Sequence, residues 1–176
     1  MRIAQFEIED LSPAILVNVN PRAELAGQQR VPACDLKFEI NAPNSILSLF
    51  GPHLRDSLYW SSGEPPEQSE LDGIEPVSDK PNLRNPMLGA LSLSSEYAGY
   101  ELTVDLGLGG KHSNVELAGC DLGQFKIEPK EGGTVTVTFR VQCHPSEKDI
   151  GKLYGKIQQE VSIKLIAPEA SDLSDE

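Results

Sequence analysis

Residues 134–143 read Thr134-Val135-Thr136-Val137-Thr138-Phe139-Arg140-Val141-Gln142-Cys143. Valine, phenylalanine and cysteine occupy every odd position, and threonine, arginine and glutamine every even one. Successive side chains of a strand point to opposite faces, so this pattern describes a strand with one face in a core and the other in water. The run fixes the periodicity to look for elsewhere, and the rest of the chain repeats it.

Ala4, Phe6 and Ile8 form one alternating set, and Ile15, Val17 and Val19 another. Leu36, Phe38 and Ile40 follow, with Asp35, Lys37 and Glu39 facing the other way. Leu102, Val104, Leu106 and Leu108 continue the series, then Phe125 and Ile127, and finally Val161, Ile163 and Leu165. With weaker candidates near 88–95 and 114–119, about nine strands are expected. Ala98-Gly99 reads as a tight join, while Gly107-Leu108-Gly109-Gly110 and Glu131-Gly132-Gly133 read as hairpin ends. Short connections imply antiparallel neighbours. The expectation is a mainly β fold with minor α, an antiparallel β-sandwich or small barrel.

Two segments break the alternation. Residues 44–60 read as two short helices after strand 3, with Asn44 capping the first, Gly51 ending it and Pro52 opening the second. Ile46, Leu47, Phe50, Leu54, Leu58 and Tyr59 would pack this unit down. Residues 146–159 read as one amphipathic helix before the last strand. Ser146 with Asp149 resembles a capping box, and Ile150, Leu153, Tyr154 and Ile157 form an apolar stripe. Residues 61–87 form a long connection rich in Pro, Gly, Ser and acids, expected to be mobile. The domain reading is one β-rich domain over 1–168 and an acidic tail over 169–176.

The chain has 176 residues and a net charge of −12, unevenly spread. Residues 61–80 carry six acids against Lys80, and the tail carries four acids and no base. This leaves 17 acids against 14 bases elsewhere, a body close to balance. No apolar run reaches the roughly 18–20 residues that span a bilayer. The opening MRIAQFEIED lacks the apolar core of a signal peptide, so a cytoplasmic location is expected.

Cys34, Cys120 and Cys143 make an odd, unpaired set without a CxxC spacing, and buried reduced thiols are the expected state. The alternative is a zinc site from these three with His112 or His144, whose ligands would have to converge from distant strands. No cofactor is expected. Residues 107–113, Gly-Leu-Gly-Gly-Lys-His-Ser, carry a superficial likeness to a phosphate loop. Asp105 stands where its first glycine belongs, His112 where Ser or Thr should bind magnesium, and a strand follows instead of a helix. No GxSxG, HExxH or EF-hand pattern occurs, so the chain reads as a non-enzyme.

Basic residues suggest one binding surface. Lys148, Lys152 and Lys156 recur every fourth position opposite the apolar stripe, and Arg140 and Lys164 lie on flanking strands; together they could contact phosphates. Gly151 and Gly155, costly in a helix, suggest close approach by a backbone or ligand. The bland alternative is a solvated lysine face. Trp60, Tyr97 and Tyr100 are the candidate stacking platforms. In the tail, Glu169, Asp172, Asp175 and Glu176 could engage a basic partner. Acidic tails of some single-stranded DNA-binding proteins compete for their own basic groove, although those tails often end in an aromatic residue and this one ends Ser174-Asp175-Glu176.

Five stretches carry a resemblance: Pro32-Ala33-Cys34-Asp35-Leu36-Lys37-Phe38-Glu39, Leu54-Arg55-Asp56-Ser57-Leu58-Tyr59, Leu71-Asp72-Gly73-Ile74-Glu75-Pro76-Val77, Lys130-Glu131-Gly132-Gly133, and Phe139-Arg140-Val141-Gln142-Cys143-His144-Pro145. Over roughly residues 30–165 the chain resembles a family of mostly uncharacterised bacteriophage and prophage proteins found near replication and recombination genes. The resemblance implies a phage early protein acting in a bacterial host cell. Two functions are expected from it and from the charges. One is a non-enzymatic accessory protein that binds nucleic acid, single-stranded DNA in particular. The alternative is a phage protein that inhibits a host defence complex through acidic surfaces. Either is compatible with a homo-oligomer, and neither involves a membrane.

Overall fold

The computed structural model describes residues 5–62, 80–110 and 112–169. The elements in chain order are β1 (Ile8–Ala26), β2 (Gln29–Pro43), a 3₁₀ turn (Asn44–Leu49), α1 (Leu54–Leu58), β3 (Tyr59–Trp60), β4 (Asn82–Leu83), β5 (Leu91–Ser92), β6 (Tyr97–Asp105), β7 (Val115–Pro129), β8 (Thr134–Cys143), α2 (Glu147–Tyr154) and β9 (Gln159–Ile166). The chain is mainly β, and nine strands are present among the described residues. Seven of them form one sheet in the order β5-β7-β6-β9-β1-β2-β8, with β7 and β8 also paired; β3 and β4 form a separate ribbon. The pairs whose registers are resolved are all antiparallel. Among the described residues no helix is long and apolar enough to cross a membrane.

The chain divides into two compact units. The first takes in the described residues of Met1–Ile40, Ser94–Phe125 and Thr138–Glu176; the second takes in those of Asn41–Leu93 and Lys126–Val137.

In the first unit, β1 and β2 form a long hairpin that turns at Gly27-Gln28, with Ala26 opposite Gln29. Gly27 has φ 67° at the first central position of the two-residue turn. That is the left-handed backbone such a turn needs and the reason glycine serves there. The core is built round four aromatic rings. Phe139 lies 5.4 Å from Phe6, 5.9 Å from Phe38 and 5.6 Å from Phe125, centroid to centroid, and all four are fully buried. Leu16, Leu36, Val104, Leu153, Ile163 and Leu165 are buried in the same unit.

The face assignment of β1 departs from the alternation read in the sequence. Ala14, Leu16 and Val19 are the buried residues, whereas Ile15 and Val17 are only half-buried. The cause is a β-bulge: Leu16 faces Phe38 and Asn18 faces Lys37, leaving Val17 as the extra residue. Gln158 holds this bulge, donating its backbone N–H to the Leu16 carbonyl and its side-chain amide to the Val17 carbonyl, each at 2.7 Å. An extra residue reverses the parity of everything after it, so Asn18 and Asn20 turn outward.

Other local expectations are corrected. Ala98-Gly99 is not a turn but lies inside β6. Gly99 has φ 79° where the register against β7 shifts between Tyr97 and Tyr100. The segments near 114–119 and 125–127 belong to one fifteen-residue strand, β7. The helical pair follows the second strand, because the set at Ile8 and the set at Ile15 share β1; Ala4 lies outside the described residues. The 107–110 and 131–133 turns do join β6 to β7 and β7 to β8. Residues 63–79, 111 and 170–176 lie outside the described residues, and with them most of the acidic connection and tail.

α2 is shorter than expected, ending at Tyr154 with Gly155 as its C-cap. Ser146 caps it as expected, accepting the Asp149 N–H at 3.1 Å. Leu153 is its one buried residue among those described, and Tyr154 is 62% exposed.

In the second unit, Asn44 does not cap its helix; Pro43 holds that position, and the side chain of Asn44 is fully buried. Its Oδ1 accepts from Arg55 Nε at 2.9 Å and its Nδ2 donates to the Lys80 carbonyl at 2.8 Å. Leu47, Leu58 and Tyr59 are buried as expected, while Ile46, Phe50 and Leu54 are half-buried.

Candidate binding recess

Once the bulge has turned β1, its outward residues lie opposite those of β2: Asn18 faces Lys37 and Asn20 faces Asp35. Alternation in β8 places Arg140 outward next to the buried Phe139, and β7 supplies Gln124. These residues line a recess in the first unit, formed by Asn18, Asn20, Asp35, Leu36, Lys37, Gln124, Phe139 and Arg140, with a cavity volume of about 220 Å³. Three carboxamides and two cations dominate its rim, and Leu36 and Phe139, both fully buried, are its apolar members.

The charges inside it are unequally satisfied. Arg22 Nε donates to Asp35 Oδ1 at 3.2 Å, and Arg22 also pairs with Glu24. His144 Nε2 lies 2.8 Å from the other oxygen of Glu24. Hydrogen bonding from His144, and then from Arg22, holds the Glu24 carboxyl below the usual range. The one carboxylate of the recess is therefore engaged from outside it. By contrast, Lys37 and Arg140 have no ion-pair partner among the described residues. The Nε of Arg140 is buried and has no hydrogen-bond partner among the described residues. A buried donor left unpaired costs about 1–3 kcal/mol.

The backbone beneath it is unusual too. Gln124 has φ 49°, in the left-handed region. At the preceding Gly123, a Cβ would come within 3.6 Å of Arg140 Nη2 and 3.7 Å of Glu96 Cγ. β7 thus approaches the guanidinium closely at this point.

Of the basic residues expected to bind phosphate, Arg140 alone lines the recess. Lys164 is on β9 opposite Thr103 of β6. Lys148 is exposed on α2, Lys152 lies 3.9 Å from Asp149, and Lys156 falls beyond the helix end, so the three are not one helical stripe. Nothing approaches a Cβ at Gly151, and at Gly155 only carbonyls of α2 do, at 3.6 and 3.8 Å, so neither glycine marks close approach by another backbone. Glu169 is exposed, and Asp172, Asp175 and Glu176 lie outside the described residues. Tyr100 is buried and cannot stack a base, Tyr97 packs edge-on against Phe125 at 5.7 Å, and Trp60 is 41% exposed in the second unit.

The three cysteines are buried and free. Cys143 donates its thiol to the Cys34 carbonyl at 3.4 Å, and Cys120 to the Leu117 carbonyl at 3.7 Å. Among the described residues no three His, Cys, Asp or Glu side chains are grouped to hold a metal ion. Asn18, Asn20, Lys37 and Gln124 were not singled out by sequence as site residues. Lys37 could be read as outward, but the bulge and the strand order that join it to the others leave no local signal.

Comparison with protein-family models, curated proteins and solved structures finds no match for this chain.

Proposed function

We propose that this is a non-catalytic nucleic-acid-binding protein that takes a single strand across the recess of the first unit, with a phosphate on Arg140 and Lys37. The observation that carries the reading is the buried Nε of Arg140 beside a second cation, Lys37, neither group having a partner among the described residues. A phosphate supplies several acceptor oxygens and a charge, and guanidinium recognises it through parallel hydrogen bonds. The carboxamides of Asn18, Asn20 and Gln124 each offer a donor and an acceptor, which suits sugar and base edges. The phage early setting implied by the sequence resemblance agrees with single-stranded DNA in replication or recombination.

The test is fluorescence anisotropy with a labelled single strand over a salt series. Arg140→Gln and Lys37→Gln should each weaken binding and flatten the salt slope by about 1. The net charge of −12 supports a second reading, inhibition of a host protein through an acidic surface. If the wild-type protein binds no DNA or RNA at low salt, nucleic-acid binding is refuted and the second reading takes its place.

A further inference from the structure

Three contacts fix the register of β2 against β8. Cys143 donates its thiol to the Cys34 carbonyl at 3.4 Å, the ring centroids of Phe38 and Phe139 lie 5.9 Å apart, and Thr136 Oγ1 donates to Asn41 Oδ1 at 2.7 Å. The β8 number falls by the step by which the β2 number rises, so these neighbouring strands run antiparallel, with Cys34 facing Cys143, Phe38 facing Phe139 and Asn41 facing Thr136. That register sets Lys37 directly opposite Arg140. Phe38 and Phe139 point into the core, so Lys37 and Arg140 share the outward face, in one row with Asn18 of β1. Residues facing each other in this way have Cβ atoms about 5 Å apart, and like charges so placed destabilise a sheet. Nothing among the described residues offsets the pair. Asp35, the carboxylate of the recess, is engaged by Arg22. Glu39, two positions along β2, and Glu96, whose Cγ approaches Gly123, make no ion pair with either cation.

Resting on the reading of the recess as a nucleic-acid site, we infer that the facing Lys37–Arg140 pair takes a doubly charged terminal phosphate, so that the protein holds a single strand by a phosphorylated end. An internal phosphodiester carries one negative charge and leaves one of the two cations unneutralised. A terminal phosphomonoester carries close to two at pH 7. It also has three oxygens outside the ester link, enough for the guanidinium and the ammonium together. The carboxamides of Asn18, Asn20 and Gln124 around the pair supply donors and acceptors without adding charge. The cation pair costs the unliganded protein stability and is relieved when the phosphate binds, the balance expected of a site kept for function.

The experiment measures thermal unfolding of the wild type, Lys37→Gln and Lys37→Glu in inorganic phosphate and in chloride of equal ionic strength. It then measures anisotropy with one strand carrying a 5′-phosphate, a 3′-phosphate or hydroxyls at both ends. In chloride, Lys37→Gln should melt higher than the wild type, and Lys37→Glu higher still, because an opposite charge then faces Arg140. Phosphate should raise the melting temperature of the wild type and leave both variants unmoved. A second negative charge beside two cations should make an end-phosphorylated strand bind about tenfold more tightly than the hydroxyl strand, and Lys37→Gln should remove the difference. If the three strands bind the wild type alike and Lys37→Gln weakens them all, end recognition is overturned and the single-strand reading stands. If phosphate stabilises through Lys37 but no strand binds, the phosphate site stands and the single-strand reading falls. If Lys37→Gln melts no higher and phosphate shifts nothing, the pair is an ordinary solvated one and the inference is overturned.

Discussion

Tyr59 and Lys130 exchange two hydrogen bonds across 71 positions of chain: the phenol donates to the Lys130 carbonyl at 2.8 Å and accepts the Lys130 N–H at 2.9 Å. The ring is fully buried, and the Thr134 carbonyl lies 3.1 Å from the same hydroxyl. The side chain that follows α1 therefore ties down the start of the β7–β8 turn. Tyr59→Phe keeps the ring and removes both bonds. The Lys130 N–H retains the Thr134 carbonyl at 2.9 Å, so the loss should be about 1–2 kcal/mol in a urea titration. No loss would mean that the hydroxyl contributes nothing to this turn.

Phe139 touches three other aromatic rings and is fully buried. Truncation to alanine should cost about 3–5 kcal/mol, since the surrounding rings cannot close the space. A loss below about 1 kcal/mol would contradict the packing of this core.

Tyr100 is buried, its hydroxyl has no partner among the described residues, and burial, with Tyr97 and Glu7 nearby, pushes its pKa up to about 12. In the unfolded chain a tyrosine ionises near 10. The folded form thus holds its proton longer, so the contribution is intact below about pH 10 and is lost as pH rises towards 12. Tyr100→Phe should leave stability at pH 7 unchanged or slightly higher and should make the alkaline loss shallower. Unfolding midpoints between pH 9 and 12 would show it; an unaltered pH slope would count against this assignment.

Ser146 is the N-cap of an eight-residue helix that buries Leu153. Ser146→Ala leaves the Asp149 N–H without its acceptor and should cost about 1 kcal/mol, whereas Ser146→Asp should keep the cap. Chemical denaturation of the pair separates loss of the cap from a general intolerance of change at this position.

Thiol reactivity gives a separate readout. Burial pushes Cys120 up to about 11, and hydrogen bonding with Cys34 raises Cys143 while lowering Cys34. All three should resist a disulfide-forming reagent in the native state and react together in denaturant, with Cys34 the first to be modified under mild destabilisation. Fast native-state reaction of Cys120 would contradict its burial.

What could be read without the fold was whatever depends on neighbours in sequence. The apolar face of β8 from Val135 to Cys143, the outward direction of Lys37 and the Ser146 cap all follow from local periodicity or local hydrogen bonding, and each is found as read, whereas Thr136, on the face expected in water, is buried and donates to Asn41 Oδ1 at 2.7 Å. β1 was misread for a physical reason. Its face changes at Val17, and the group that holds the bulge is Gln158, 141 positions away. The same holds for the recess. Its two cations could be read as facing away from the core, but that does not make a site. Only the β1–β2 register and the placing of β7 and β8 beside that hairpin bring Asn18, Asn20, Lys37, Gln124 and Arg140 to one cavity. Those are long-range pairings, and no window of sequence contains the partners that decide them.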